Sequence, residues 1–310
     1  MMYRVIACAA LCTGLAHASP ATIDTERLSS VVRELASDEY EGRAPGTPGG
    51  RKTVEYLVEQ FSALGLEPGG ADGGWTHNVP MIHTLFEDPT ELQFVVDGEP
   101  QPLRQKLDIE ASTVRGVDAI AIDAPVVFVG FGAHAPERDW DDYGDIDLEG
   151  KVALYLVNDP DFAARPGEPA AGRFGNRRMT YYGRWAYKFE EAARRGAVAA
   201  LVIHETEAAG YGWNVASSSP GENYAVVSAD EPVPPVVLQG WLHGDAAAAL
   251  MKSAGHDLDA LRIRARSPDF EAFELEGVSF AADVAVAVDH FESSNVLAIL
   301  PGKTHPDELL

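Results

Sequence analysis

The chain has 310 residues, 46% of them hydrophobic and 23% charged, and its 29 Gly and 20 Pro are too few for a collagen-like or broadly disordered polymer. That length makes room for about two domains with buried cores. Its 48 acidic residues against 24 basic ones give a formal charge of −24, which excludes general nucleic-acid binding and docking to an anionic membrane face, since both need a basic surface.

The chain opens on Met1-Met2-Tyr3-Arg4, then an apolar run over 5–15, then Ala16-His17-Ala18. A basic start, a short apolar stretch and an A-x-A site mark residues 1–18 as a secretory signal peptide. The run is too short for a membrane span, which needs ~20 residues. Cleavage after Ala18 removes Cys8, Cys12 and Arg4, so the mature chain has 23 basic and 48 acidic residues and no thiol. Disulfides and a cysteine nucleophile are thereby excluded. The expectation is an exported protein, periplasmic or extracellular.

Asp24 is placed to cap a helix with Leu28, Val31, Val32 and Leu35 on one face. A turn-rich stretch over 38–50 leads to a second helix carrying Val54, Leu57, Val58, Phe61 and Leu64. Gly65 stops it, and Leu66 packs back on its last turn. Strand patterns follow over 75–85 and 92–96. A different texture begins near Ala111, with short buried strands at 126–129 and 152–157. A helix over 185–195 leads through Gly196 into a strand over 198–203, which makes a small α/β unit. Residues 161–178, rich in Ala, Gly, Pro and Arg, read as a long loop.

Pro234-Pro235-Val236-Val237-Leu238 opens another strand. A helix over 245–253 and a closing strand over 261–265 follow. Beyond Pro268, Val284, Val286 and Val288 alternate with Ala285 and Ala287 as in a half-buried strand. The run 296–300 is apolar on both faces, as in a central strand.

Tests for catalytic patterns come out negative. There is no G-x-S-x-G elbow. His204-Glu205-Thr206-Glu207-Ala208 begins like a zinc helix, but its fifth residue is Ala. Seven acids crowd 137–149; the fifth and twelfth places of a calcium loop begun at Asp139 hold Tyr143 and Gly150, so the stretch reads as a solvated acidic turn. His305-Pro306-Asp307 has metal-ligand spacing but sits in a polar tail with no strand before it. The remaining histidines are scattered.

Several segments resemble one family. Ser37-Asp38-Glu39-Tyr40-Glu41-Gly42-Arg43-Ala44-Pro45-Gly46-Thr47-Pro48-Gly49 and Leu64-Gly65-Leu66-Glu67-Pro68 resemble the opening of secreted zinc aminopeptidases of the aminopeptidase Y, glutamate carboxypeptidase and transferrin-receptor type. Val127-Phe128-Val129-Gly130-Phe131-Gly132, Asp141-Asp142-Tyr143 with Gly150-Lys151-Val152, Lys188 through Ala197, and Gly210-Tyr211-Gly212-Trp213-Asn214-Val215 resemble the protease-associated (PA) domain inserted in those enzymes. Ser294-Asn295-Val296-Leu297-Ala298-Ile299-Leu300-Pro301-Gly302 resembles the strand that re-enters the peptidase domain.

The resemblance covers nearly the whole mature chain. It implies an α/β fold: a zinc-exopeptidase α/β/α domain, incomplete here, over 19–110 and 269–310, with a small α/β PA domain over 111–268. It also implies two zinc ions, a Glu general base and peptide substrates hydrolysed at the N-terminus, the metals activating the attacking water. The ligands are expected after the 296–300 strand, so no metal or catalytic residue carries over, and no zinc is expected to bind this chain. His305 and Asp307 come too early in that order. The chain therefore reads as the N-terminal portion of such a peptidase, inactive alone, arising as a gene fragment, a frameshifted product or a partial record.

Tyr182, Arg184, Trp213 and Asn214 are the candidate substrate contacts, because the PA domain of related enzymes roofs the active site. Arg184 can pair a peptide carboxylate and Trp213 can offer an aromatic wall. Packing of the PA core is the competing role for the aromatics, and a surface ion pair that for Arg184. The alternative function is a non-catalytic PA-domain binding or scaffold protein, and a periplasmic binding protein is a third class.

Overall fold

A computed structural model describes residues 23–70, 72–228, 233–305 and 308. The expected signal peptide and Asp307 lie outside the described residues. Two compact units divide the chain: one is the continuous stretch 76–295, the other is made of the segments on either side of it.

In the flanking unit, helix α1 (Thr25–Leu35) begins at Asp24. The Asp24 carboxylate accepts from the N–H groups of Glu26 and Arg27 at 3.0 and 3.1 Å, which satisfies donors that a helix start leaves open. Helix α2 (Pro48–Ala63) is capped by the Thr47 hydroxyl, which accepts from Gly50 N–H at 3.1 Å. It ends as the sequence predicts: Gly65 takes a left-handed φ of 71°, and Leu66 N–H donates back to Phe61 O at 3.2 Å. Between the helices, 38–43 folds as a tight turn laid on α2. A Cβ on Gly49 would come within 1.9 Å of Tyr40 O, so only glycine admits that approach.

The continuous unit is a mixed α/β fold around one ten-stranded sheet. Its strands are β1 (Thr76–Phe86), β2 (Glu91–Val96), β3 (Glu99–Pro102), β4 (Ile109–Ser112), β5 (Ala119–Gly130), β6 (Val152–Leu156), β7 (Ala199–His204), β8 (Glu222–Val226), β9 (Leu238–His243) and β10 (Phe273–Val296). They run in the order β8-β1-β10-β5-β6-β7-β9-β4, with β2 also on β10 and β3 on β2. The central strands β5, β6, β7 and β9 are parallel, and β10 and β4 flank them antiparallel.

The parallel strands are apolar on both faces because both are covered. Phe128, Leu154 and Leu201 face a core shared with Leu250 and Met251 of helix α4 (Gly244–Ser253) and Leu258 and Leu261 of helix α5 (Leu258–Arg264). Val127, Ala153, Tyr155 and Val202 face a second core with Phe189 and Ala192 of helix α3 (Trp185–Arg194). A satellite core of Trp140, Phe174 and three alanines lies under 161–178, which has no regular element.

The expected limits at 111 and 268 both fall inside the continuous unit, because β2, β4 and β10 hydrogen-bond into the same sheet. The predicted strand over 261–265 is instead the end of α5. Its Leu-Arg-Ile-Arg-Ala alternation mimics a strand, but Asp257 caps a helix here, accepting from the N–H groups of Asp259 and Ala260 at 2.9 and 3.0 Å. The run 296–300 is not a central strand among the described residues. It pairs on one side only, Ala298–Ile299 against Glu67–Pro68, and Leu300 is 79% exposed.

Candidate functional site

The four parallel strands end at one edge, at Gly130, Leu156, His204 and His243. In open α/β sheets ligands bind beyond the carboxyl ends of the strands, and the chemistry-bearing side chains of this unit collect there.

Lys188 is the hub. Its fully buried ammonium donates to Phe131 O, to Asn158 O at 3.2 Å and to Tyr182 O at 3.2 Å. It thereby ties the ends of β5 and β6 to the segment that enters α3. All three donors are used, which offsets the cost of burying the charge. Burial still lowers the Lys188 pKa to about 8, opposed by the nearby carboxylates of Asp159 and Asp142. Asp159 accepts from the N–H and hydroxyl of Thr180 at 2.6 and 2.7 Å. Asp161 accepts from the N–H groups of Phe174 and Asn176, both at 2.9 Å. Between them these carboxylates fold the long loop over 158–184.

Asp142 corrects the reading of the acidic stretch as wholly solvated. It is 1% exposed and accepts from Ala133 N–H and the Trp140 indole, both at 2.8 Å. Burial pushes its carboxyl up to about 7, against the pull of those bonds.

Of the four residues singled out from sequence, Arg184 lies at a pocket. It is the N-cap of α3, and its exposed guanidinium has no hydrogen bond or ion pair among the described residues. The pocket has a volume of about 240 Å³ and is walled by Val157, Met179, Ala209, Tyr211 and Trp241 together with Arg184 and Trp185. The half-buried Tyr211 also has a hydroxyl with no partner among the described residues.

The other three stand elsewhere. Tyr182 packs edge-on to Phe174 and Tyr187 and donates its hydroxyl to Glu137 at 3.0 Å. Trp213 donates its indole N–H to Lys106 O at 2.8 Å and lies edge-on between the rings of His204 and His243. Asn214 is exposed, its side chain folded against Gly212.

Two further residues neighbour the pocket's wall. His204 Nε2 donates to Tyr211 O at 3.1 Å and its ring meets Tyr211 and Trp241, so it seats the pocket wall. Burial, with a smaller contribution from His243, lowers its pKa. On β4, Glu110 lies across from Trp241. Its carboxyl has no hydrogen-bond partner among the described residues, and burial pushes it up to about 7. A signal for His204 was its place at the end of an apolar strand; no local signal marks Glu110.

Among the described residues no group of three or more His, Cys, Asp or Glu could hold a metal ion. His305 is exposed, 3.7 Å from Glu308. No described helix is long and apolar enough to cross a membrane.

The fold and this edge define a mixed α/β protein with a small, amphipathic pocket beyond its parallel strands. No family model matches the chain, and no curated protein sequence matches it.

Proposed function

We propose that this chain is the PA-domain-bearing part of an exported zinc-dependent exopeptidase, and that its own residues bind peptides. In this reading the continuous unit is the inserted PA domain, and the flanking unit belongs to the peptidase α/β/α domain. One observation carries the assignment of a binding role. Arg184 and Trp185 at the start of α3, and Tyr211 from a segment that resembles the PA domain, meet at a single pocket. Arg184 and Tyr211 offer a cation and a hydroxyl to a carboxylate, and Trp185, Trp241 and Val157 offer apolar walls to one side chain. At about 240 Å³ the pocket lies below the ~300 Å³ of drug-sized sites. It suits one amino-acid residue, and we assign it the carboxyl-terminal residue of a peptide.

Two zinc ions would supply an activated water in such an enzyme. The described residues do not offer a donor set for them, so no hydrolytic step is assigned to them. Zinc titration is expected to show no stoichiometric binding to the chain, and aminoacyl-nitroanilides are expected to remain uncut.

Calorimetric titration with Ala-Ala-Leu and its carboxyl-terminal amide tests the binding role. A charge-assisted hydrogen bond predicts that the free acid binds roughly tenfold tighter or more. That preference should vanish in Arg184→Met. Equal affinity for acid and amide would refute the carboxylate site, and no binding of either would refute the peptide reading.

A further inference from the structure

A second pocket, of about 400 Å³, adjoins the first, with Trp185 and Ala186 common to both walls. Trp185 is 44% exposed and stands as the ridge between them. Beyond the ridge the wall is mostly apolar: Phe189 and Ala193 one and two turns further along α3, faced by Val114, Pro235 and Val236, with Gln239 adding one uncharged polar group. Its charged rim is internally satisfied. The Arg194 guanidinium is 2.7 Å from Glu191 and 3.7 Å from Glu190, and Glu190 also accepts from the Tyr181 hydroxyl. The two chambers therefore differ in charge, one holding a free arginine and the other a neutralised pair over an apolar floor.

We propose that the two chambers are successive subsites for one peptide, and that the larger takes a bulky uncharged side chain upstream of the residue held at Arg184. This rests on the peptide reading above and narrows its substrate class to short peptides with an apolar carboxyl-terminal residue and a second large apolar or aromatic residue. Continuity through the Trp185 wall favours one ligand in both chambers. The neutral rim favours an uncharged group, because a buried ammonium or carboxylate would find no free counter-charge there.

The test is a set of tetrapeptides titrated into the full chain. Ala-Ala-Ala-Leu is the parent, and Phe replaces each of its three alanines in turn. One placement should tighten binding about tenfold or more, the gain expected from burying an aromatic side chain, and Lys or Glu at that place should give none. Ala193→Phe, which fills the larger chamber from an α3 position, should abolish the gain, read against the parent peptide in the same variant. Trp185→Ala should lower the gain as well. If the parent binds and no Phe placement helps, or if the gain persists in Ala193→Phe, the second subsite is overturned and the carboxylate site stands. If the parent does not bind, the peptide reading falls and takes this proposal with it.

Discussion

Helices α1 and α3 are both amphipathic, yet they meet different fates. In the flanking unit, α1 leaves Leu28 and Val32 55% and 57% exposed and buries no residue. In the continuous unit, α3 buries Tyr187, Lys188, Phe189, Glu191 and Ala192. A local pattern makes a helix, but a second layer makes it stable. The sheet gives α3 that layer, and the described residues give α1 none. The two units should therefore differ sharply in how much free energy their apolar side chains hold.

The largest expected effect is at the sheet. Phe128 is fully buried, with its ring edge-on to Phe270 and Phe273. Phe128→Ala should destabilise the continuous unit by about 3–5 kcal/mol in denaturant titration. A loss below about 1 kcal/mol would mean that this core is looser than the contacts indicate.

Lys188→Met comes next, at about 3 kcal/mol, because it leaves three buried carbonyls without a donor and Asp159 without its neighbouring cation. Hydrogen exchange should localise the damage to 158–184 and the start of α3 rather than to β7. A uniform loss across the sheet would show that Lys188 acts by packing alone.

Glu110 predicts a smaller, pH-dependent effect. Its carboxyl titrates at about 7 in the folded chain and near the ordinary 4.5 when unfolded. The folded state therefore binds more protons between those values, and its stability falls as pH rises from about 4.5 to 7. Asp142 acts in the same direction, so the informative quantity is the difference between native chain and Glu110→Gln. The variant should match the native chain near pH 4.5 and exceed it above pH 7, by on the order of 1–2 kcal/mol once solvent access is allowed for. Parallel pH profiles would contradict a desolvated carboxyl at this position.

The smallest effect should be at α1. Leu28→Ser should change unfolding by less than about 0.5 kcal/mol, and the amides of α1 should exchange far faster than those of β6 and β7. A loss near 2 kcal/mol would mean that the flanking unit buries this face after all.

The contrast also separates what could be read locally from what could not. Asp24, Gly65 and Gly196 punctuate helices through atoms within one turn of themselves, and the buried strands at 152–156 and 199–204 show as short apolar runs. Such signals need no partner from elsewhere in the chain. The 261–265 segment shows where they conflict: a period-two pattern reads as a strand, while the Asp257 cap and the docking of Leu258 and Leu261 on the sheet make it a helix. Arg184 was readable from sequence as a cation for a carboxylate, but not that it has no ion pair among the described residues. That Tyr182 and Trp213 are held by Glu137 and Lys106 was not, because those partners are distant in sequence.

By itself, then, the sequence determined the acidic charge and most of the helix and strand signals. Only the tertiary structure decided that Asp142 is buried, that Lys188 joins two strand ends to α3, and that Arg184 and Tyr211 share one pocket beside a second. The reason is physical. Capping and periodicity are set by neighbours along the chain, whereas burial and an unpaired charge depend on which groups the sheet brings together.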